Sequence, residues 1–564
     1  MTLPSEPTHI ILQSPASNDP LLDLNTQPSL DLQFATGKTL DDRVSGLPLV
    51  NHQRDASGGK SAGTYVGSDR LIKTSPVNLL TYSEQFDQSA WVKQANSGTL
   101  PQVTPNLAAS PDGSVTADRI LCSKSGSTYS FVQRSSVYSG NETGSIYLKS
   151  NTNSNQTVYF RVGITASYVT VSTEWQRFSI NSTYSGTANF TIGARDASDD
   201  VIDILAWGAQ LEEGSTATTY IPTTSTISGA PRFDHDPVTG ESLGLLIEES
   251  RTNDAFYSND FTQWVTTATG GVNPAPVLVP ASGVSPSGLT DATEITYPAV
   301  SVANSYSIIY LRPGTSGNTQ YVFSAYLKGT VGGETIYLMS SPDGVSWASQ
   351  SFTLTTDWER CVFPHTTLGT NSYFQIGVDL RDGAQSGQPA QVISVWGAQV
   401  EEGSFPTSYI PTTGTIVTRA ADVASITGTN FSSWYNQSEG TVFAEATGEG
   451  ARIVGINDGT SSNRHEIFLS PGNVSCYQVR AGINEVNIPK PKESKSSFAY
   501  KTNDYSFTSG GSSVVTDTSA TPPTVDQMNI GCWFDDTAQL NGHITRLAYY
   551  PYRLADATLQ EITS

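Results

Sequence analysis

Two places in the chain carry neighbouring carboxylates in the same context, Glu212-Glu213 and Glu401-Glu402. Paired acids hydrolyse glycosidic bonds when they face each other across a cleft at about 5–9.5 Å. Here they are adjacent residues following a strand-like run, and adjacent strand residues point to opposite faces. They are not placed to flank one bond, and a structural role, accepting hydrogen bonds or an arginine, is expected. Asp234-His235-Asp236 holds residue types that ligate metals or move protons. Its setting next to Pro237 predicts instead a turn closed by Asp side chains. His465, Glu466 and His543 fall on strand-like runs without a nucleophile beside them and read as ordinary polar positions. No GxSxG, HExxH or Walker loop is present. The four cysteines, Cys122, Cys361, Cys476 and Cys532, lie far apart without CxxC spacing. That excludes a zinc motif and a disulfide framework and predicts buried, reduced thiols. No enzyme activity, metal or cofactor is expected.

Binding chemistry has better candidates. Trp175 with Arg177, and Trp358 with Arg360, share a strand face by their i, i+2 spacing. Because the two pairs match, the shared fold is expected to need them, as a core or rim tryptophan covered by an arginine stem. Trp347 is different. Tyr159 and Trp175 correspond to Tyr337 and Trp358, but the second interval is five residues longer, an insertion placed in Pro342-Asp-Gly-Val-Ser-Trp347. A tryptophan in a loop insertion is not required by a common fold, and loops on rigid scaffolds carry function. Trp533, Phe534 and Asp535, with Asp536, put bulky rings beside carboxylates in a turn-like stretch. Flat rings stack on the apolar face of a sugar and carboxylates bind its hydroxyls. The alternative is a loop tryptophan folded onto its own domain.

The elements that position these residues follow from a long repeat. Trp207-Gly-Ala-Gln-Leu-Glu-Glu-Gly-Ser215 with Tyr220-Ile-Pro-Thr-Thr224 returns as Trp396-Gly-Ala-Gln-Val-Glu-Glu-Gly-Ser404 with Tyr409-Ile-Pro-Thr-Thr413. Upstream, Ile146-Tyr-Leu-Lys149 matches Ala325-Tyr-Leu-Lys328, and Tyr82-Ser83 with Trp91 matches Tyr257-Ser258 with Trp264. Two copies of one domain follow, 78–225 and 253–417, joined by a hairpin connector, 226–252. Both read as short strands between Gly, Ser and Asn turns, as in a sandwich or jelly roll. A third, different sandwich spans 418–564, with turns at Asn457-Asp-Gly459 and Ser509-Gly-Gly511 and a short helix near Leu554–Ile562. Residues 1–77 contain a candidate strand at Leu30–Phe34 and little else that could form a core. The fold class is all-β: tandem jelly rolls plus a C-terminal concanavalin-like sandwich.

Composition agrees. Of 564 residues, 37% are hydrophobic and only 15% charged, and 52 acidic residues against 30 basic ones give a net charge of −22. A single core does not grow to this length. The negative field argues against nucleic acid and anionic membranes as partners. No run is long and apolar enough to span a bilayer, and the start lacks a signal-peptide pattern, so synthesis in a cytoplasm is expected.

On these residues the chain resembles bacteriophage head-spike and tail-fibre proteins. The resemblance rests on Pro231-Arg-Phe-Asp-His-Asp-Pro237 with Gly244-Leu-Leu-Ile-Glu-Glu-Ser-Arg-Thr-Asn253, and on the repeated Trp-Gly-Ala-Gln element, which is similar to the last strand of their carbohydrate-binding-module-like jelly rolls. The segments Trp434–Gly440, Ala499–Asp504 and Ala538–Pro551 are similar to their concanavalin-like (laminin-G-like) domains. The Thr64–Leu79 stretch lacks the Phe-Asp-His-Asp-Pro connector. The resemblance implies a virion appendage that adheres to host surface polysaccharide or lipopolysaccharide, attaches to other virion proteins through 1–77, and forms a homotrimer. A tailspike-like depolymerase and a purely structural decoration protein are the alternatives.

Overall fold

Alternating apolar and polar residues with frequent turn formers leave the backbone one economical way to satisfy its hydrogen bonds, the antiparallel ladder. The computed structural model is accordingly almost all β. It describes residues 27–56, 63–96, 99–269, 272–341, 347–367, 370, 372–381, 383, 385–470 and 472–564. The chain divides into two compact units, 52–422 and 1–51 with 423–564.

The first unit holds both repeats. In the first copy, Gln176–Arg195 pairs along its whole length with residues 129–148 of Tyr129–Ser150, and both run through a continuous sheet around one core. In the second copy the corresponding strands are broken, and two five-stranded sheets enclose the core. The break after Tyr306–Leu311 falls at Pro313-Gly314, where a missing N–H and a free backbone end a ladder. The shared plan is otherwise kept in detail. Trp91 and Trp264 each donate the indole N–H to a backbone carbonyl, of Tyr82 and Tyr257, at 2.9 Å. Asn78 clamps the carbonyls of Ala209 and Ile221, and Asn253 those of Ala398 and Ile410.

Between the copies, segments distant in sequence bring a set of charges together out of water. Arg232 meets Glu248 at 2.7 Å, Arg419 meets Glu248 at 2.8 Å, and Arg54 meets Asp422 at 3.0 Å. Arg232 also bonds Asp422. All five side chains are buried, and His52 lies 3.4 Å from Asp422. Burial alone would raise the pKa of Glu248. The guanidinium groups of Arg419 and Arg232, with Ser408, outweigh that and hold it down at about 2.

The second unit is a sandwich of a different order. One layer runs Gly542–Tyr550, Glu439–Gly448, Lys495–Lys501, Tyr505–Ser509 and Val515–Asp517. The other includes Val423–Thr427, Gln527–Ile530, Arg452–Asn457, Arg464–Ser470, Asn473–Arg480 and Ile483–Pro491. The expected helix forms over Asp556–Ile562 and buries Leu559 and Ile562. All four cysteines are buried and free.

The N-terminal stretch is divided between the units rather than standing as one region. Leu30–Leu32 pairs with Gly542–Tyr550, Leu30 and Leu32 are fully buried, and buried Asp31 bonds Arg546 at 2.8 Å. Residues 52–56 and 63–77 belong to the other unit, which Arg54 helps to hold. The partner surface these segments lack alone is supplied by this same chain. Residues 1–26, with Ile10-Ile11-Leu12 and Leu21–Leu24, lie outside the described residues.

A depressed carboxylate pKa stabilises the folded state fully above its unfolded value, about 4.3 for Glu, and that contribution is lost as pH falls towards 2. Acid titration of the chemical-denaturation midpoint should therefore show a loss across this window. Glu248→Gln should flatten the loss and cost ~3–5 kcal/mol at neutral pH, because it strands buried guanidinium charge.

Candidate functional site

The second copy gathers aromatic and polar side chains on one face of the sheet formed by Val265–Ala268, Tyr306–Leu311, Tyr373–Asp379, Thr335–Ser341 and Ala348–Thr353. The register sets Tyr306 opposite Asp379 and Tyr310 opposite Gln375, with Gln375 opposite Met339 on the other side. Period-two alternation puts these residues on the opposite sheet face from Ile309, Leu311, Phe374, Ile376 and Val378. Gly377 lies in the middle of this face, with φ at +151°. A Cβ there would come within 2.5 Å of the Ser307 carbonyl, so only glycine allows the two strands to approach.

Trp347 stands over this face, half-buried. Its ring meets Tyr373 edge-on at 6.1 Å, and the Arg381 guanidinium lies 4.9 Å from its centroid. Arg381 also covers Tyr306 at 4.1 Å, and Arg312 covers Tyr373 at 4.6 Å. Arg381 is held by buried Asp379 through a two-point pair, Nε to Oδ1 at 2.9 Å and Nη2 to Oδ2 at 2.5 Å. The rest of the insertion, residues 342–346, lies outside the described residues.

The same sheet face carries buried polar atoms without partners among the described residues. Gln375 is fully buried, yet neither its amide nitrogen nor its oxygen has a hydrogen-bond partner among the described residues. The Trp347 indole N–H is buried and also lacks a partner among the described residues. Leaving a buried amide unpaired costs about 1–3 kcal/mol, and native proteins keep few such groups. Rings for stacking, with unspent donors and an acceptor between them, suit a ligand rich in hydroxyl groups and C–H faces.

The C-terminal candidates are more fully occupied by their own domain. Trp533 donates its indole N–H to buried Glu466 at 2.8 Å, and Arg452 lies 5.1 Å from its ring centroid. Phe534 packs edge-on to it at 4.8 Å. Asp535 closes the turn by accepting from the Thr537 hydroxyl at 2.6 Å and its backbone N–H at 3.2 Å. The structure therefore places Trp347 on the Gln375 face in one unit, and Trp533, Phe534 and Asp535 in a turn of the other.

The residues read as structural are used structurally. Trp175 and Trp358 donate their indole N–H to the carbonyls of Ala109 and Val284, both at 3.1 Å. Arg177 and Arg360 bond the Thr218 and Thr407 carbonyls and cover Tyr147 and Tyr326. Glu212 accepts from the backbone N–H and hydroxyl of Thr218, and Glu401 accepts the same two bonds from Thr407. Asp234 and Asp236 accept backbone N–H groups, from Val66 and from Val238 and Thr239. His465 is not an ordinary polar position: it is buried against Tyr500 at 4.5 Å, neither ring nitrogen is bonded, and burial lowers its pKa to about 3. No cluster of three metal-ligating side chains occurs among the described residues.

No family model matches the chain, and no curated protein matches it. Solved structures with detectable likeness include a CBM40 of a Ruminococcus gnavus sialidase bound to α2,3-sialyllactose, at 16% identity over 24% of this chain and 87% of that one, with a TM-score of 0.21. A tandem CBM22 pair from Paenibacillus barcinonensis is 13% identical over 62% of this chain and all of that one, with a TM-score of 0.26. A protein of Sulfolobus turreted icosahedral virus is 8% identical over 87% of this chain and all of that one, with a TM-score of 0.15. All are distant.

Gln375→Leu should raise stability by ~1–3 kcal/mol, because it removes an unpaired amide from a buried position of similar volume. Thermal or denaturant unfolding of the two proteins measures it.

Proposed function

We propose that this protein is a glycan-binding adhesin without hydrolytic chemistry of its own, carried on a bacteriophage virion as a fibre or spike. The observation that carries the binding reading is the buried amide of Gln375, without a partner among the described residues, on the sheet face where Trp347 packs on Tyr373. The rings beside it, with Trp347 half-buried, offer a sugar ring stacking surface. The absence of hydrolysis is supported by the carboxylate pairs, whose Glu212 and Glu401 oxygens are taken up by Thr218 and Thr407. The virion setting rests on the connector and Trp-Gly-Ala-Gln motifs described above. Host polysaccharide or lipopolysaccharide is the ligand in this reading. Residues 1–26 attach the chain to the virion and to its sister chains, and threefold presentation raises weak sugar affinities through avidity.

Trp347→Ala should weaken binding to host cells about tenfold while leaving the unfolding transition within about 1 kcal/mol of wild type, as for a loop position. Cell pull-down with both proteins reads it, with new reducing ends assayed alongside. Unchanged binding removes this face as the site, and released reducing ends would make the protein a depolymerase. Light scattering on the full chain should give three times the 60.2 kDa of one copy. A chain starting at Gln27, which keeps every described residue, should give one.

A further inference from the structure

The first copy carries a second sheet face of different chemistry, and we infer that it binds a carboxylate-bearing sugar chain. The proposal shares with the reading above only the general class of ligand, because it concerns another domain and other residues.

The face is built across Thr165–Val171, Gln156–Gly163, Gln176–Arg195, Tyr129–Ser150 and Val92–Asn96. The register lines up Tyr168, Tyr159, Gly193 and Phe131 in one row. Gly193 takes the place that Gly377 takes in the second copy, with φ at +152° and a neighbouring carbonyl 2.6 Å from where a Cβ would stand. Without a side chain there, Arg195 on the same strand reaches across the gap. Its guanidinium lies 5.5 Å from the Tyr159 centroid and 5.9 Å from that of Tyr129. Tyr168 completes the row, 5.8 Å from Tyr159 and 42% exposed. The result is a line of ring, ring, guanidinium and ring on the outer sheet face, in which Tyr168 and Arg195 are the exposed members and Tyr159 is buried.

Its charge runs against that of the whole molecule. The chain carries 52 acidic and 30 basic residues. The paired segments that make this face, residues 92–96, 129–135, 156–163, 165–171 and 189–195, contain no Asp or Glu, but they do contain Lys93, Arg134, Arg161 and Arg195. Lys93 and Arg134 turn to backbone carbonyls and Thr81 at the domain rim, leaving Arg161 and Arg195 with the rings. Arg195 bonds Asp196 through Nε alone at 3.2 Å, and its side chain is 37% exposed. Arg161 bonds the Gly163 carbonyl through Nε. In the second copy the residue matching Arg195 is Asp379, which neutralises Arg381. The two faces thus differ where a ligand's charge would be read.

A guanidinium fork matches a carboxylate in geometry and sign. Exposed Tyr168 and half-buried Tyr129 supply stacking surface on either side of it. A polymer of uronic or sialic acid units meets both demands at once.

The test is a glycan array of uronate-, sialate- and phosphate-bearing glycans with their neutral counterparts, probed with the full chain. Arg195→Gln, Tyr168→Ala and Trp347→Ala variants are probed in parallel. Carboxylate-bearing members should bind, more weakly at higher salt. Arg195→Gln should lower that signal roughly tenfold or more, Tyr168→Ala should also lower it, and Trp347→Ala should leave it intact. Wild-type binding confined to neutral or phosphate-bearing members, no binding to any acidic member, or acidic binding unchanged in Arg195→Gln would each overturn the proposal. Loss of binding in Trp347→Ala alone would instead support only the site in the second copy.

Discussion

The tandem jelly rolls depend on a salt-bridge cluster that water cannot reach. Arg54 comes from before the first copy, Arg232 and Glu248 from the connector, and Arg419 and Asp422 from beyond the second copy. Removing ions from water is costly, and their mutual attraction offsets the cost only when geometry is good and the remaining donors are satisfied. Here Ser75 and Ser408 take up further hydrogen bonds, while Nε of Arg232 and of Arg419 is left without a partner among the described residues. Such a cluster is poor evidence of extra stability, but a slip of one segment would strand charge in a dry interior. The connector is consequently no flexible linker. It carries two of the five charges that join three parts of the chain.

Around that fixed point, one domain plan is used twice with different outcomes. The buried clamps are common to both: the tryptophan on a backbone carbonyl, the asparagine bridging two strands, the glutamate on a threonine. The differences gather on the outer sheet faces. The first copy keeps its long strands whole and presents a row of rings around Arg195. The second breaks them at Pro313-Gly314, gains the insertion ending at Trp347, and places a neutralised Arg381 over its rings. Duplication held the interior constant because interior packing tolerates little change, while the faces were free to diverge.

Much of this was legible in the residues. The repeat set the domain count, turn chemistry located the hairpins, and identical contexts for Glu212 and Glu401 pointed to structure, which Thr218 and Thr407 bear out. Trp347 stood out because the fold did not need it. Gln375 did not, since a glutamine in an apolar strand becomes informative only when the face it points to is known. The signal available was the shared Ile-Gly pair, Ile192-Gly193 and Ile376-Gly377, with Thr191 before one and Gln375 before the other. The burial of His465 was equally hidden, because strand alternation cannot say which face of a sandwich is inner. Nor could the N-terminal stretch be divided correctly, because the partners of Asp31 and Arg54 lie hundreds of residues away.

The same cluster sets an order on synthesis. Asp422 is 368 residues downstream of Arg54 and 190 downstream of Arg232. At roughly 5–20 residues per second, Arg54 waits on the order of tens of seconds on the ribosome for its carboxylate. Each jelly roll can close on its own local ladders as it emerges, but the joint between them cannot form until the chain has passed the second copy. A nascent chain halted before residue 422 therefore holds folded domains and an unsealed seam, with cationic side chains still exposed to solvent. Completion of the tandem is in effect a check that translation has reached the start of the final sandwich.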